Sequence, residues 1–91
     1  MDIQAIRERI DAVDQKMAEL FEERLELVYQ VAEYKYQHHE EIFDSKRELE
    51  VIEKNQKQIK HPAYREAYRE FIHMVMDQSK AVQKQYIDAQ E

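Results

Sequence analysis

Apolar residues recur every three to four positions between Ile3 and Tyr34, and neither glycine nor proline interrupts them. This spacing is typical of one face of an α-helix, and Asp2 is placed to cap its first turn. The pattern ends at the polar residues 37–40, which predicts one helix of about 34–36 residues, roughly 50–54 Å long. The apolar stripe consists of Ile3, Ile6, Ile10, Val13, Met17, Leu20, Leu27, Val31 and Tyr34.

A helix of this length does not fit inside a compact chain of 91 residues. Such a chain would have a radius of gyration of about 12 Å and a diameter of about 30 Å. The helix would project beyond it by about 20 Å and leave its apolar stripe in water. We therefore expect an intertwined helical homodimer, in which a second copy covers the stripe.

Two further helices complete the predicted fold. The second runs from about Asp44 to about Ile59, with Leu49, Ile52 and Ile59 on its buried side. Pro62 suits the first turn of the third helix. The fold class is all-α, with three helices per chain, one of them very long. The apolar positions of the third helix are Tyr64, Tyr68, Phe71, Ile72, Val75, Met76, Val82 and Tyr86.

The composition excludes several classes of function. Without cysteine there is no disulfide framework or thiolate zinc site, and without glycine the phosphate-cradling loops and dinucleotide folds are disfavoured. The 14 basic and 20 acidic residues give a net charge of −6, whereas nucleic-acid binders are usually basic. No apolar run reaches the length of a membrane span, and residues 1–4 do not resemble the start of a signal peptide. We expect a single cytoplasmic domain over residues 1–91 that binds neither nucleic acid nor membrane.

Two cations lie on the apolar face of the first helix. Arg24 occupies the slot between Met17 and Val31, where an apolar residue is expected, and Lys35 follows eleven residues later on the same side. A buried arginine is costly unless an anion pairs with it. An internal glutamate and a bound anion would both satisfy Arg24, and the spacing alone leaves the two open. Lys35 could also be solvated or complement the helix dipole.

Polar residues interrupt the other two helices as well. Ser79 and Gln83 are four residues apart on the apolar line of the third helix, where hydrogen bonds between helices would account for them. Asp44, Arg47 and Glu48 share one face at the start of the second helix. Taken alone, these three residues fit an acidic first turn with a surface salt bridge.

Considered together, the cations predict an anion site. Arg7, Arg24, Lys35 and Arg47 are four cations in an acidic protein, and Arg24 and Lys35 lie on an otherwise apolar face. A pocket that holds them would suit a small dianion. Fixed positive charge in a water-poor cavity would also stabilise a reaction in which charge separates.

Several segments carry a family resemblance when they are taken in order and with their separations. They are the run from Ile6 to Asp14, Glu23-Arg24, Tyr34-Lys35, Ile42-Phe43-Asp44 with Arg47-Glu48, and Ser79 with Gln83. This set resembles the all-helical chorismate mutases and covers nearly the whole chain. The resemblance implies that the chain converts chorismate to prephenate in a homodimer with two equivalent sites, without a cofactor or a metal.

The resemblance also implies roles for individual residues. Arg24 and Arg7 would bind the two carboxylates of chorismate, with Arg7 reaching in from the partner chain. Lys35 and Gln83 would donate hydrogen bonds to the ether oxygen whose bond to carbon breaks. The family reaction is a concerted rearrangement, so no nucleophile–base pair is expected.

Four more residues receive roles from the same resemblance. Glu48 and the backbone near Asp44 would hold the ring hydroxyl of the substrate. Arg47 would assist at a carboxylate, and Ser79 would line the pocket.

Two alternatives lie outside this reaction. An isochorismate pyruvate-lyase has the same fold and a similar cationic site. That branch lacks, in this form, the set of Asp44, Arg47 and Glu48 that would hold the ring hydroxyl. A helical dimerisation module without catalysis would explain the stripe and the helix length. It would not explain why Arg24, Ser79 and Gln83 stand at apolar positions.

A metal-binding helical bundle is a third alternative, since Glu70 and His73 have the Glu-x-x-His spacing. These two residues are predicted to share the polar side of the third helix with Arg69, Asp77 and Lys80. The motif would then face water, and we expect no metal site.

Overall fold

The structure is a computed structural model that describes all 91 residues, and it contains three α-helices and no strand. Helix α1 spans Ile3–Gln37, α2 spans Ser45–Gln56 and α3 spans Arg65–Gln90. A 3₁₀ turn at Pro62–Tyr64 joins the last two helices. The predicted all-α fold with three helices is therefore confirmed. None of these helices combines the length and the apolar character that a membrane crossing requires.

Helix α1 has 35 residues, as the uninterrupted stripe predicts. Oδ1 of Asp2 accepts a hydrogen bond of 3.0 Å from the backbone N–H of Gln4 and so caps the first turn. The helix stops where His39 takes a φ of 55°. Glycine usually occupies this left-handed position after a helix, and this chain has none. The N–H of Glu40 bonds to the carbonyl oxygen of Lys35 at 2.8 Å and closes the helix end.

Helix α2 is shorter than the sequence predicts. The carboxylate of Asp44 accepts a backbone N–H three residues on, at 3.0 Å, and caps its start. The helix ends at Gln56 and not near Ile59. The side chain of Asn55 donates to a carbonyl oxygen one turn earlier at 2.9 Å, and the N–H groups that follow bond three residues back. Both features end an α-helix in a tighter turn.

The buried side of α2 also differs in part from the prediction. Ile52 is buried as expected and Ile59 is half-buried, but the side chain of Leu49 is exposed. Val51 is buried in its place. Within one chain the backbone of α2 lies close to that of α3 alone, so one edge of α2 is covered and Leu49 lies outside that edge.

The prediction that Pro62 opens the third helix is close to what the structure shows. His61 is extended, as the residue before a proline tends to be, and its ring nitrogen accepts the N–H of Ala63 at 3.2 Å. Pro62 starts the 3₁₀ turn, which runs directly into α3 at Arg65. Nε of Arg65 in turn bonds the carbonyl oxygen of Ile59 at 3.1 Å and fixes the connection to α2.

The core lies along α3, whose backbone lies close to those of both α1 and α2. The main apolar cluster consists of Val51, Ile52, Ile72, Val75 and Met76. Only nine of the 91 residues are buried. A core of this size leaves a chain of this length marginally stable by itself.

The N-terminal half of α1 extends away from this core. The molecule measures 55 × 25 × 14 Å and has a radius of gyration of 16.4 Å, against about 12 Å for a compact chain of this length. The apolar side chains on this half of α1 are exposed, and an exposed apolar patch usually marks a contact with another chain. Its exposed residues include Ile3, Ile10, Val13, Met17 and Leu20, with relative exposures between 47% and 63%.

Candidate active site

The structure gathers seven of the eight residues singled out in the sequence around one cavity of about 260 Å³. The cavity lies between the C-terminal half of α1, the first two turns of α2 with the segment that leads into them, and the middle of α3. Its polar lining contains Arg24, Lys35, Asp44, Arg47, Glu48, Ser79 and Gln83, with Lys80 as an eighth member. Its apolar walls are Leu27, Val28, Val31, Ile42, Val51 and Met76.

Arg24 reaches into the cavity without an anionic partner. Its guanidinium donates to Oγ of Ser79, and that hydroxyl donates onward to the carbonyl oxygen of Val75 at 2.7 Å. No carboxylate of the chain forms a salt bridge with Arg24. The interpretation that an internal glutamate pairs with Arg24 is therefore wrong within a single chain. Burial, and after it the positive charge of Arg47, lower the pKa of Arg24. Since an arginine stays charged in proteins, the guanidinium is a partly buried positive charge without a counter-ion.

Lys35 is half-buried and held in place by the loop that follows α1. Its Nζ donates to the carbonyl oxygen of Ile42 at 2.8 Å. An ammonium group has three donors, so two remain for another partner. Lys35 makes no salt bridge with any carboxylate of the chain.

Gln83 is a buried amide with an incomplete set of hydrogen bonds. The residue is 7% exposed, its Nε2 lies 3.4 Å from the carbonyl oxygen of Ser79, and its Oε1 has no partner. An unsatisfied buried polar atom is destabilising. Rotation by about 180° about the last bond exchanges the oxygen and the NH₂ group, so the side chain can offer either to a ligand.

Helix α2 supplies the charged wall of the cavity. The carboxylate of Asp44 is occupied by its role as helix cap. The side chain of Arg47 lies at the rim, 67% exposed and 4.0 Å from Glu50. Oε1 of Glu48 forms an ion pair with Nζ of Lys80 at 3.0 Å across to α3.

The position of Lys80 corrects the sequence analysis, which placed it on the water-facing side of α3 with Asp77. Its side chain is only 32% exposed and lines the cavity. The hydrogen bond to Glu48 raises the pKa of Lys80. Helical spacing could have predicted this position, since Lys80 lies four residues after Met76 and three before Gln83 and so shares their helix face. Both of those neighbours are buried.

Arg7 is the predicted site residue that the structure does not bring to the cavity of its own chain. It is exposed on the projecting half of α1. Seventeen residues separate it from Arg24, which corresponds to about 25 Å along the helix axis. A side chain cannot cover this distance within one straight helix.

A second, larger groove lies beside the cavity and has a different character. It has a volume of about 630 Å³, and ten of its thirteen lining residues are hydrophobic. Met17, Leu20 and Phe21 of the exposed α1 face form one side of it, and Phe71 and Met74 of α3 form the other. Because few polar groups converge there, the groove suits an apolar protein surface better than a small polar substrate.

The charge balance of the smaller cavity defines what it can bind. Arg24, Lys35, Arg47 and Lys80 face two carboxylates, those of Asp44 and Glu48. Both carboxylates are already engaged, so Arg24 and Lys35 remain without a counter-ion. The cavity therefore favours a small anion and can stabilise negative charge that develops on it.

The Glu-x-x-His spacing does not assemble into a metal centre. No group of three or more histidine, aspartate or glutamate side chains is arranged to hold a metal ion. Glu70 and His73 are both exposed on α3, and neither lines the cavity.

Comparison with known proteins places the chain in a family. No curated protein and no solved structure gives a significant match. The family model for chorismate mutase type II matches residues 6–84, a segment that includes Arg7 and all eight polar residues of the cavity. The chain belongs to the chorismate mutase type II family.

Proposed function

We propose that this protein catalyses the rearrangement of chorismate to prephenate, the precursor of phenylalanine and tyrosine. Family membership makes chorismate the expected substrate. The observation that carries the proposal is the pair Arg24 and Lys35, two unpaired cations that share one small cavity with the unsatisfied amide of Gln83. Chorismate has two carboxylates and an ether oxygen, and these match the charges and the donors that the cavity leaves free.

The carboxylates of the substrate would neutralise the arginines. Arg24 binds one carboxylate, and Ser79 fixes the direction of its guanidinium through the hydrogen bond described above. Arg47, whose side chain is mostly exposed at the rim, would assist at the same group. The second carboxylate requires another cation, and we assign it to Arg7 of a second copy.

The chemical step needs restraint and electrostatic stabilisation but no covalent intermediate. In the concerted rearrangement one carbon–oxygen bond breaks while a carbon–carbon bond forms, and negative charge builds up on the ether oxygen. Lys35 and Gln83 donate hydrogen bonds to that oxygen. Such donors act most strongly where water is excluded and their positions are fixed beforehand, as the carbonyl of Ile42 fixes Lys35.

The ring hydroxyl of the substrate is assigned to the α2 wall. The carboxylate of Glu48 accepts a hydrogen bond from this hydroxyl, and the backbone near Asp44 completes the contact. Together with the carboxylate contacts, this grip selects the compact conformer in which the two reacting carbons are close.

A homodimer completes the proposed site. The exposed stripe on α1 and the apolar groove bordered by Phe71 and Met74 are surfaces that a second copy would cover. An interwoven arrangement would also bring Arg7 of one chain to the cavity of the other. Arg7 lies about 25 Å from its own Arg24 along the axis, a separation that favours this assignment.

The direct test is the loss of chorismate absorbance when the purified protein is added, with prephenate separated from chorismate by chromatography. We expect turnover well above the uncatalysed rate, and little turnover by the Arg24→Met variant at the same concentration. Isochorismate is included as a second substrate, and release of pyruvate from it would indicate the lyase instead. A correctly folded protein that leaves chorismate at its uncatalysed rate would rule the proposal out.

A further inference from the structure

Lys80 makes three contacts at the mouth of the cavity. Its Nζ lies 3.0 Å from Oε1 of Glu48 and 3.5 Å from Oδ1 of Asp77. It also lies 5.0 Å from the centre of the Phe43 ring, within the range of a cation–π interaction. The ammonium is therefore held between α2, α3 and the segment that precedes α2.

The two ion pairs of Lys80 are not equivalent. Asp77 lies on the same helix as Lys80 with a side chain 72% exposed, and surface pairs of this kind contribute little. Glu48 belongs to α2 and its side chain is 22% exposed. This pair joins residues 32 positions apart and forms part of the cavity wall.

Without Lys80, the carboxylate of Glu48 could form an ion pair with another cation of the cavity. Arg24 and Lys35 line the same cavity and have no counter-ion. A partly buried carboxylate is strongly attracted to unpaired cations at short range, because the effective dielectric constant is lower there than in water. Glu48 would then occupy the charges that an anionic substrate needs.

The geometry points to Lys80 as a positioning residue that holds Glu48 on the α2 wall, away from Arg24 and Lys35. Oε1 of Glu48 is committed to Lys80, and Oε2 stays available to the ring hydroxyl of the substrate. Lys80 acts through Glu48 and does not touch the reacting atoms. This inference rests on the proposed function, which assigns the ring hydroxyl to Glu48.

A double-mutant cycle tests the inference. Wild type, Lys80→Met, Glu48→Gln and the double variant are compared for kcat/KM with chorismate. We expect Lys80→Met to lower kcat/KM by about tenfold, the usual size of a coupling between contacting charges. In the Glu48→Gln background the same substitution should change kcat/KM by less than about twofold, because no carboxylate remains to be positioned.

The affinity for prephenate, measured by calorimetry on the same four proteins, gives a second cycle that does not depend on turnover. Prephenate keeps both carboxylates and the ring hydroxyl. We expect the same pattern, a weaker affinity in Lys80→Met that is largely absent in the Glu48→Gln background.

Two further variants separate positioning from a general effect on the helix. Lys80→Arg retains a cation and should recover most of the activity. Lys84→Met is the matched control, since Lys84 lies one turn further along α3 and forms an exposed pair with Asp88 at 2.7 Å. It should retain wild-type kinetics.

The outcomes distinguish this inference from the proposed function. If the wild-type protein is folded but does not rearrange chorismate, the proposed function fails. If the wild type is active and Lys80→Met has no effect, or the same effect in both backgrounds, the inference is wrong. An equal effect in both backgrounds would mean that Lys80 binds the substrate directly.

Discussion

Lys35 and Ile42 are joined by a hydrogen bond of 2.8 Å between the ammonium Nζ and the carbonyl oxygen, so one side chain serves both the loop and the cavity. The bond ties the segment before α2 to the end of α1. It also fixes the direction of the ammonium before any ligand arrives. A donor fixed in advance loses little freedom on binding, which is the condition for effective stabilisation of a developing charge.

Replacement of Lys35 by alanine should therefore abolish most of the activity. Loss of one donor to a developing oxyanion typically costs about 3–4 kcal/mol, or a factor of about 10²–10³ in rate. We expect the loss mainly in kcat, measured by chorismate depletion under saturating conditions. Lys54→Ala, an exposed lysine on α2, is the control and should leave kcat unchanged. Near wild-type turnover by Lys35→Ala would exclude the ether-oxygen role.

Arg24 offers a test that separates a functional role from a structural role. Its guanidinium is partly desolvated without a counter-ion, which is unfavourable for the unliganded protein. We expect Arg24→Met to lose activity while its free energy of unfolding stays within about 1 kcal/mol of wild type, or rises. Thermal and denaturant unfolding measure the second quantity. A large drop in stability would show that Arg24 is needed for the fold.

Gln83→Glu should make the activity depend on acid. An amide donates a hydrogen bond at any ordinary pH, whereas a carboxyl group donates only when it is protonated. The protonated fraction increases as the pH falls, so kcat/KM of the variant should rise between about pH 8 and pH 5. Gln85→Glu, at an exposed position two residues on, should follow the wild-type profile. A flat profile at full activity for Gln83→Glu would mean that this side chain does not contact the substrate.

The exposed stripe on α1 predicts a dimer in solution. The apolar residues on the projecting half of this helix are about half exposed in one chain, and their burial against a second copy is strongly favourable. Light scattering on the purified protein should give about twice the chain mass of 11.2 kDa. An active, stably folded monomer would contradict this arrangement.

Complementation between inactive variants tests the assignment of Arg7. Arg7→Ala and Lys35→Ala are each expected to be nearly inactive as homodimers. In a mixed dimer the Arg7→Ala chain keeps its own Lys35 and receives Arg7 from its partner, so one of the two sites is intact. Random assortment yields about half mixed dimers, and equal amounts should recover roughly a quarter of wild-type activity.

The two chains must be unfolded and refolded together so that subunits exchange. A tag on one chain shows that mixed dimers have formed. Mixed dimers with no more activity than either parent would place Arg7 in its own chain's site or outside any site.

The extent of α1 follows from the sequence because helix formation is a local property. Uninterrupted apolar spacing, a capping Asp2 and the absence of glycine and proline determine where hydrogen bonding within the helix can begin and continue. The same local spacing shows that Arg24 and Gln83 stand at apolar positions. Seven of the eight predicted residues share a cavity. They could be predicted because most of them lie on helix faces, which local spacing defines.

The tertiary structure alone decided what those faces meet. Lys80 lines the cavity because Glu48 of α2 lies beside it, and Glu48 is 32 residues away in the sequence. The exposure of Leu49 has the same origin, since only the packing partner of α2 determines which edge is covered. The sequence also left open whether a glutamate of the same chain pairs with Arg24, and the structure shows no such pair. Contacts between distant segments depend on how the helices pack, and helical periodicity specifies the face of a residue without specifying its neighbour.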